Sequence, residues 1–140
     1  MSKRISITLF ATLILLLFAS CDQNTGLSYD DILGEWDFPA GIGDQDGPHI
    51  SVMTGPLLDI SWYDGNDSYF CYGDGNYLEG IFTGTYGYNI SYADPVSSTS
   101  GSDQTITVIF SLTNNKLKAV CSGQGPLNGK TFDLGTLSDY

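Results

Sequence analysis

The stretch Gln104–Thr113 places Ile106, Val108, Phe110 and Leu112 at every second position, with Thr105, Thr107 and Ser111 among the residues between them. A period of two sends successive side chains to opposite faces of an extended strand, and a helix cannot gather such a pattern onto one side. The alternation recurs along the chain. Leu58, Ile60 and Trp62 alternate with Asp59 and Ser61; Tyr86, Tyr88, Ile90 and Tyr92 with Gly87, Asn89 and Ser91. Leu117, Ala119 and Cys121 are expected to face inward, with Lys116 and Lys118 outward, and Phe132 and Leu134 alternate with Thr131 and Asp133. No segment after residue 34 sustains a 3.6-residue period. The pattern predicts an all-β chain of half-buried antiparallel strands, one face on a core and one in water.

Turn residues divide these runs. Asp64-Gly65-Asn66-Asp67 and Gly73-Asp74-Gly75-Asn76 read as turns, and Asn114-Asn115 as a two-residue hairpin. Residues 94–103 read as a longer polar loop and 123–129 as another connection. Eight or nine strands follow, at roughly 35–39, 49–54, 57–63, 68–72, 77–83, 85–92, 104–113, 116–122 and 130–136. Meander spacing of this kind suits a small up-and-down barrel or a β-sandwich. Ser28-Tyr29-Asp30-Asp31 carries a capping pattern, predicting one short helical turn that Gly34 ends before the first strand.

The N-terminus carries a different signal. Lys3 and Arg4 precede an uncharged apolar run from Ile5 to Phe18, shorter than the ~20 residues a membrane-spanning helix needs. That is the build of an export signal. The run ends in Leu17-Phe18-Ala19-Ser20-Cys21, which resembles the lipobox of bacterial lipoproteins, with Phe18 where leucine is commonest. The resemblance implies a signal peptide at 1–20 and acylation of Cys21; the polar residues that follow read as a tether, 21–27, and the alternating strands place a single β-domain at 28–140. The resemblance also implies a membrane-attached protein of the bacterial cell envelope, facing the periplasm or the exterior. A multiply acylated cysteine is a firm anchor, since each buried methylene contributes about 0.8 kcal/mol.

Without residues 1–20 the chain keeps three lysines, no arginine and 16 acids, a formal charge of −13. Such a surface repels phosphate, so nucleic acid is not an expected partner. Two cysteines remain beside Cys21. In an exported protein Cys71 and Cys121 are expected to form a disulfide, with two buried free thiols as the alternative; a single distant histidine gives no zinc spacing.

Gly34-Glu35-Trp36, following a short turn near the start of the domain, looks like the G-x-W signature of lipocalins. That resemblance implies an eight-stranded barrel plugged by the tryptophan and a small apolar ligand inside. The implied pocket is lined by Trp36, Leu58, Ile60, Trp62, Tyr86, Tyr88, Val108 and Phe110. The arginine that lipocalins stack on the tryptophan has no counterpart here.

Chemistry is sparse. The one histidine, His49, reads as a polar strand-edge residue rather than a base, and no G-x-S-x-G elbow is present. Glu35 and Glu79 are the only glutamates, and Asp37, Asp59 and Asp133 are assigned to solvated outer faces. No cofactor is expected. Asp64, Asp67 and Asp74 resemble calcium ligands in composition, but Asp-Gly and Gly-Asn are equally ordinary hairpin residues. The sequence therefore points to a non-enzymatic, lipid-anchored binding protein holding a small apolar ligand. The alternative is a filled-core envelope lipoprotein that interacts with protein or polysaccharide.

Overall fold

The computed structural model describes residues 26–44 and 46–139. The export signal, Cys21 and most of the tether lie outside these residues. Among the described residues no helix is long and apolar enough to cross a membrane.

Eight antiparallel strands run in chain order: β1 (Gly34–Asp37), β2 (His49–Met53), β3 (Leu57–Asp64), β4 (Asp67–Leu78), β5 (Ile81–Ala93), β6 (Val96–Thr113), β7 (Lys116–Gly123) and β8 (Thr131–Leu137). Each pairs with the next, and β8 returns to β1 through Trp36 opposite Leu137 and Asp37 opposite Thr136, so the sheet closes into a barrel. A 3₁₀ turn at Gly125–Leu127 links β7 to β8. The all-β, up-and-down architecture read from the alternation is the one observed.

Two boundaries differ from the expectation. Gly73-Asp74-Gly75-Asn76 is not a turn but lies inside the 12-residue β4. The hairpin falls later, at Glu79 and Gly80, both with positive φ (48° and 88°), and it splits the strand expected at 77–83 between β4 and β5. Gly75 faces Gly84 across this pair. A Cβ on Gly84 would lie 2.1 Å from the Asp74 carbonyl oxygen and 2.8 Å from the Gly75 Cα. The glycines there permit close backbone approach within a paired ladder, a use that composition does not separate from turn formation. Residues 96–103, expected as a loop, form the first part of β6, and the hairpin is confined to Asp94-Pro95. Their Ser/Thr side chains are exposed on both faces, so no hydrophobic alternation marked the strand.

The inward set forms one continuous cluster. It includes Ile32, Trp36, Ile50, Leu58, Ile60, Trp62, Phe82, Tyr86, Val108, Phe110, Leu117, Ala119 and Phe132. Leu134 was expected among them but is 58% exposed. A register shift between Leu117 and Ala119 opposite β8 leaves Leu134 at φ 65°, turned outward, while Phe132 stays in. A bulge of this kind resets the side-chain phase after one residue.

The N-terminal segment closes one end. Ser28 and Asp31 cap each other: the Ser28 amide donates to the Asp31 carboxylate at 2.9 Å and the Asp31 amide to the Ser28 hydroxyl at 3.3 Å. The Leu33 amide closes the turn on the Tyr29 carbonyl at 3.1 Å. Trp36 Nε1 donates to the Ile32 carbonyl at 2.9 Å, pinning the turn to the core. The Tyr77 hydroxyl donates to the Leu27 carbonyl at 2.9 Å, and the Tyr29 hydroxyl to that of Met53. The β3–β4 and β5–β6 hairpin tips lie at the other end, joined by the Ala93 amide donating to Asp67 at 2.9 Å.

The two tryptophans are predicted to respond differently to substitution. Trp62 Nε1 is buried without a partner, so Trp62→Phe removes an unpaired N–H along with apolar contact. Trp36→Phe leaves the Ile32 carbonyl unsatisfied, adding about 1–2 kcal/mol. Urea unfolding should rank Trp36→Phe as the more destabilised. Phe110→Ala, at a residue 1% exposed, should cost about 3–5 kcal/mol.

Candidate functional site

The eight residues expected to line an interior pocket are brought together, but as packing. Trp36, Leu58, Ile60, Trp62, Tyr86, Val108 and Phe110 belong to the buried cluster, and Tyr88 packs against it. An interior space bordered by Leu58, Ile60, Cys71, Tyr86 and Leu127 measures about 10 Å³, about the minimum for one water. The Tyr86 hydroxyl is committed to the protein: it donates to the Gln124 carbonyl and accepts from the Leu127 amide at 3.2 Å. It thereby ties the 3₁₀ turn to the wall. Trp62 stacks on Tyr69 at 4.7 Å between centroids, and Lys130 Nζ sits 5.3 Å from its ring. A late cation does cover a tryptophan, but it is a lysine, and the ring is not that of Trp36.

Cys71 on β4 and Cys121 on β7 both point inward and are free thiols rather than the expected bridge. Around the ring β5 and β6 separate their strands, so the two are not cross-strand neighbours. Burial pushes each thiol up to about 12, with the charge Cys121 would carry a lesser cause at Cys71. Neither is a nucleophile at neutral pH.

His49 Nδ1 lies 2.9 Å from Asp37 on the neighbouring strand, and Asp37 also accepts from the Ser138 hydroxyl. These contacts, Ser138 first and His49 second, hold the Asp37 carboxyl below its usual range. The carboxylate stands between serine and imidazole. A nucleophilic serine needs the imidazole as its own hydrogen-bond partner, so the trio fastens the C-terminal residues to the barrel rather than forming a triad.

The calcium candidates are not assembled. Asp64 and Asp67 flank the β3–β4 hairpin, with Asp67 spent on the Ala93 amide, and Asp74 lies partway along β4. Among the described residues no three His, Cys, Asp or Glu are placed to hold a metal ion.

A broad concavity lies on the outer face, where sequence reasoning did not place a site. The strand registers set Asp59 of β3, Tyr72 of β4 and Gly87 of β5 side by side in one outward row. The row ends at the β6 bulge of Ser102 and Asp103, where these two residues of β6 lie opposite Gly87 alone on β5. Asp74 and Thr85 form the next outward row with Leu57. Together with Met53 they surround a groove of about 490 Å³. The row crosses four strands, about 14 Å at ordinary strand spacing. The floor depends on Gly87, where a Cβ would come within 2.6 Å of the Tyr72 ring. The ring therefore lies down over bare backbone, and it remains 48% exposed. Phe70, the previous outward residue on β4, is 43% exposed, with its ring 6.1 Å from that of Tyr72.

Electrostatically the groove is one-sided. It holds Asp59, Asp74 and Asp103 and no lysine, arginine or histidine. Asp59 is half-buried, and that burial raises its pKa above the usual aspartate range. Neither a family model, nor a curated protein, nor a solved structure matches this chain.

A raised folded-state pKa means that Asp59 contributes stability only while protonated. That contribution is present below the unfolded aspartate range and lost as pH rises through the folded value. Asp59→Asn should therefore raise the urea midpoint at pH 7, reflecting a gain in unfolding free energy of less than about 1 kcal/mol given partial exposure, and leave it unchanged at pH 3. A lower midpoint at pH 7 would show that the carboxylate is stabilised by contacts instead.

Proposed function

We propose that this is a lipid-anchored protein of the bacterial cell envelope that binds a hydroxyl-rich polysaccharide chain across the outer face of a filled barrel and performs no chemistry on it. The observation that carries this reading is the distribution of space. The interior offers about 10 Å³, whereas the outer groove offers about 490 Å³ beneath an exposed tyrosine ring. An aromatic ring lying flat on a sheet presents an apolar face to a sugar ring, as buried aromatics do to one another. The flanking Asp59, Asp74, Ser102, Asp103 and Thr85 supply acceptors and hydroxyls for sugar hydroxyls. An acidic rim disfavours phosphorylated or uronic polymers and nucleic acid.

The anchor follows from Cys21, and the architecture is consistent with it. The N-terminal turn and the Met53–Leu57 turn share one end of the barrel, so a lipid there leaves the opposite hairpin tips directed away from the membrane. A small apolar guest inside the barrel, as lipocalin likeness implies, would require core side chains such as Phe82 and Phe110 to swing outward. The filled-core alternative is the better supported.

Two measurements test the proposal. Titrating neutral oligosaccharide hexamers of glucose, xylose and N-acetylglucosamine should shift backbone amide resonances of Asp59, Tyr72 and Gly87 for at least one of them. Tyr72→Ala should weaken that binding at least tenfold, about 1.4 kcal/mol, while unfolding at the wild-type urea concentration. Shifts confined to core residues would contradict the proposal, as would no shift with any hexamer. Separately, Cys21→Ala should move the protein from the membrane to the soluble fraction; retention at the membrane would remove the anchor from the account.

A further inference from the structure

One stretch of the outer wall is apolar. The strand registers set Leu78 of β4 opposite Ile81 of β5, Ile81 opposite Ile109 of β6, and Ile109 opposite Val120 of β7. All four side chains are exposed, Leu78 by 73%. Single exposed apolar residues are ordinary, but a contiguous row of them marks a contact surface. This row crosses four strands, about 14 Å at ordinary strand spacing.

Charge sets the same stretch apart. The next outward row up the wall is Asn76, Thr83, Thr107 and Ser122. On the other side of the row, Ser111 pairs with Lys118 and Thr113 with Lys116. None of these residues is an acid, although the chain has 16 acids, and two of its three lysines beyond residue 20 are among them. Lys116 Nζ donates to the Thr136 hydroxyl at 2.6 Å, and Lys118 Nζ lies 3.6 Å from Asp133. The acids stand at the border: Glu79 at the hairpin tip, Asp133 beside Lys118, and Asp74 two outward rows up β4.

The segment that leads back to Cys21 meets the barrel beside this row. The Tyr77 hydroxyl donates to the Leu27 carbonyl at 2.9 Å, and Tyr77 immediately precedes Leu78. The five residues between Cys21 and Leu27 can reach at most about 21 Å. An acyl group on Cys21 thus holds Leu27, and with it the β4–β5 hairpin, close to the bilayer.

We infer that this wall is the side on which the anchored barrel rests on the lipid surface, with the row from Leu78 to Val120 in the bilayer interface. The inference rests on the Cys21 anchor proposed above. The position of that anchor selects lipid as the occupant, since the apolar row is the part of the wall that the short tether holds at the membrane. Leu78 and Ile81 meet the upper acyl methylenes. Lys116 and Lys118 lay their apolar stems along the interface and direct their ammonium groups to head-group phosphates. The net negative charge opposes binding of a free chain to an anionic surface, so the acyl chains supply the attachment and the row sets the orientation. The acids from Asp74 upward keep the groove clear of the bilayer.

The test uses the acylated full-length protein in phosphatidylcholine vesicles that contain lipids spin-labelled at the head group. Cys71 and Cys121 are buried and Cys21 is blocked by acylation, so one added cysteine takes a bimane label, with the parent chain as the blank. Ile81→Cys and Glu35→Cys are exposed positions at the same end of the barrel on opposite sides of the ring. The label at 81 should be quenched at least threefold more than the label at 35. Adding Ile109→Asp should at least halve that difference, with the circular dichroism spectrum and the fraction floating with vesicles unchanged. A protein that does not float would overturn the anchor and this inference together. Equal quenching at 81 and 35 in a protein that does float would overturn the inference alone, as would an Ile109→Asp variant that keeps the full difference.

Discussion

Eight strands enclose a cylinder only just wide enough for the side chains that point into it, and that volume limit governs the rest of the molecule. Once Trp36, Ile60, Phe82, Val108, Phe110 and Phe132 are directed inward from five different strands, no guest-sized space remains. Closure itself is thin, with two residue pairs between β1 and β8. It is reinforced by the Ser138 amide donating to the Glu35 carbonyl at 2.8 Å and by the Ser138 contact to Asp37. The shared core holds the ring closed more than that short ladder does. Function, if it requires room, is pushed to the outside of the wall.

The outer face is shaped by what the strands lack. Gly87 lets the Tyr72 ring settle onto the sheet, and the extra residue of β6 at Ser102 and Asp103 raises a lip beside it. Gly75 and Gly84 allow β4 and β5 to press together further along the same pair. Removing side chains at chosen points gives a convex barrel a concave strip. Asp59 sits half-buried in that strip without a cation beside it, and burial is the leading influence on its carboxyl.

Legibility in the sequence followed the same physics. Wherever one face is buried and the other wet, as in Leu58–Trp62 or Ile106–Leu112, alternation named both the strand and its inward residues. It failed at 96–103, where both faces are wet and hydroxyl residues carry no phase. It failed again at Gly73–Asn76, where glycine and asparagine looked like a turn but lie in a ladder. Leu134 was misassigned because a bulge changes phase without changing composition. The site was less legible than the fold. Asp59, Tyr72, Asp74 and Ser102 come from three strands and become neighbours only through register, which turn positions set and a one-residue error inverts. Tyr72 was visible as an aromatic residue, but nothing in one sequence showed that its partner across the pair is a glycine.

The central claim, that the barrel is filled and its binding surface lies outside, is most directly tested with an apolar fluorescent probe. Titrating N-phenyl-1-naphthylamine into the folded protein while exciting Trp36 and Trp62 reports entry into the core by energy transfer, since both indoles are buried there. The account predicts no saturable transfer and no displacement of any co-purified molecule. A saturable one-to-one enhancement with tryptophan quenching would contradict it and would show that the barrel opens to hold a guest.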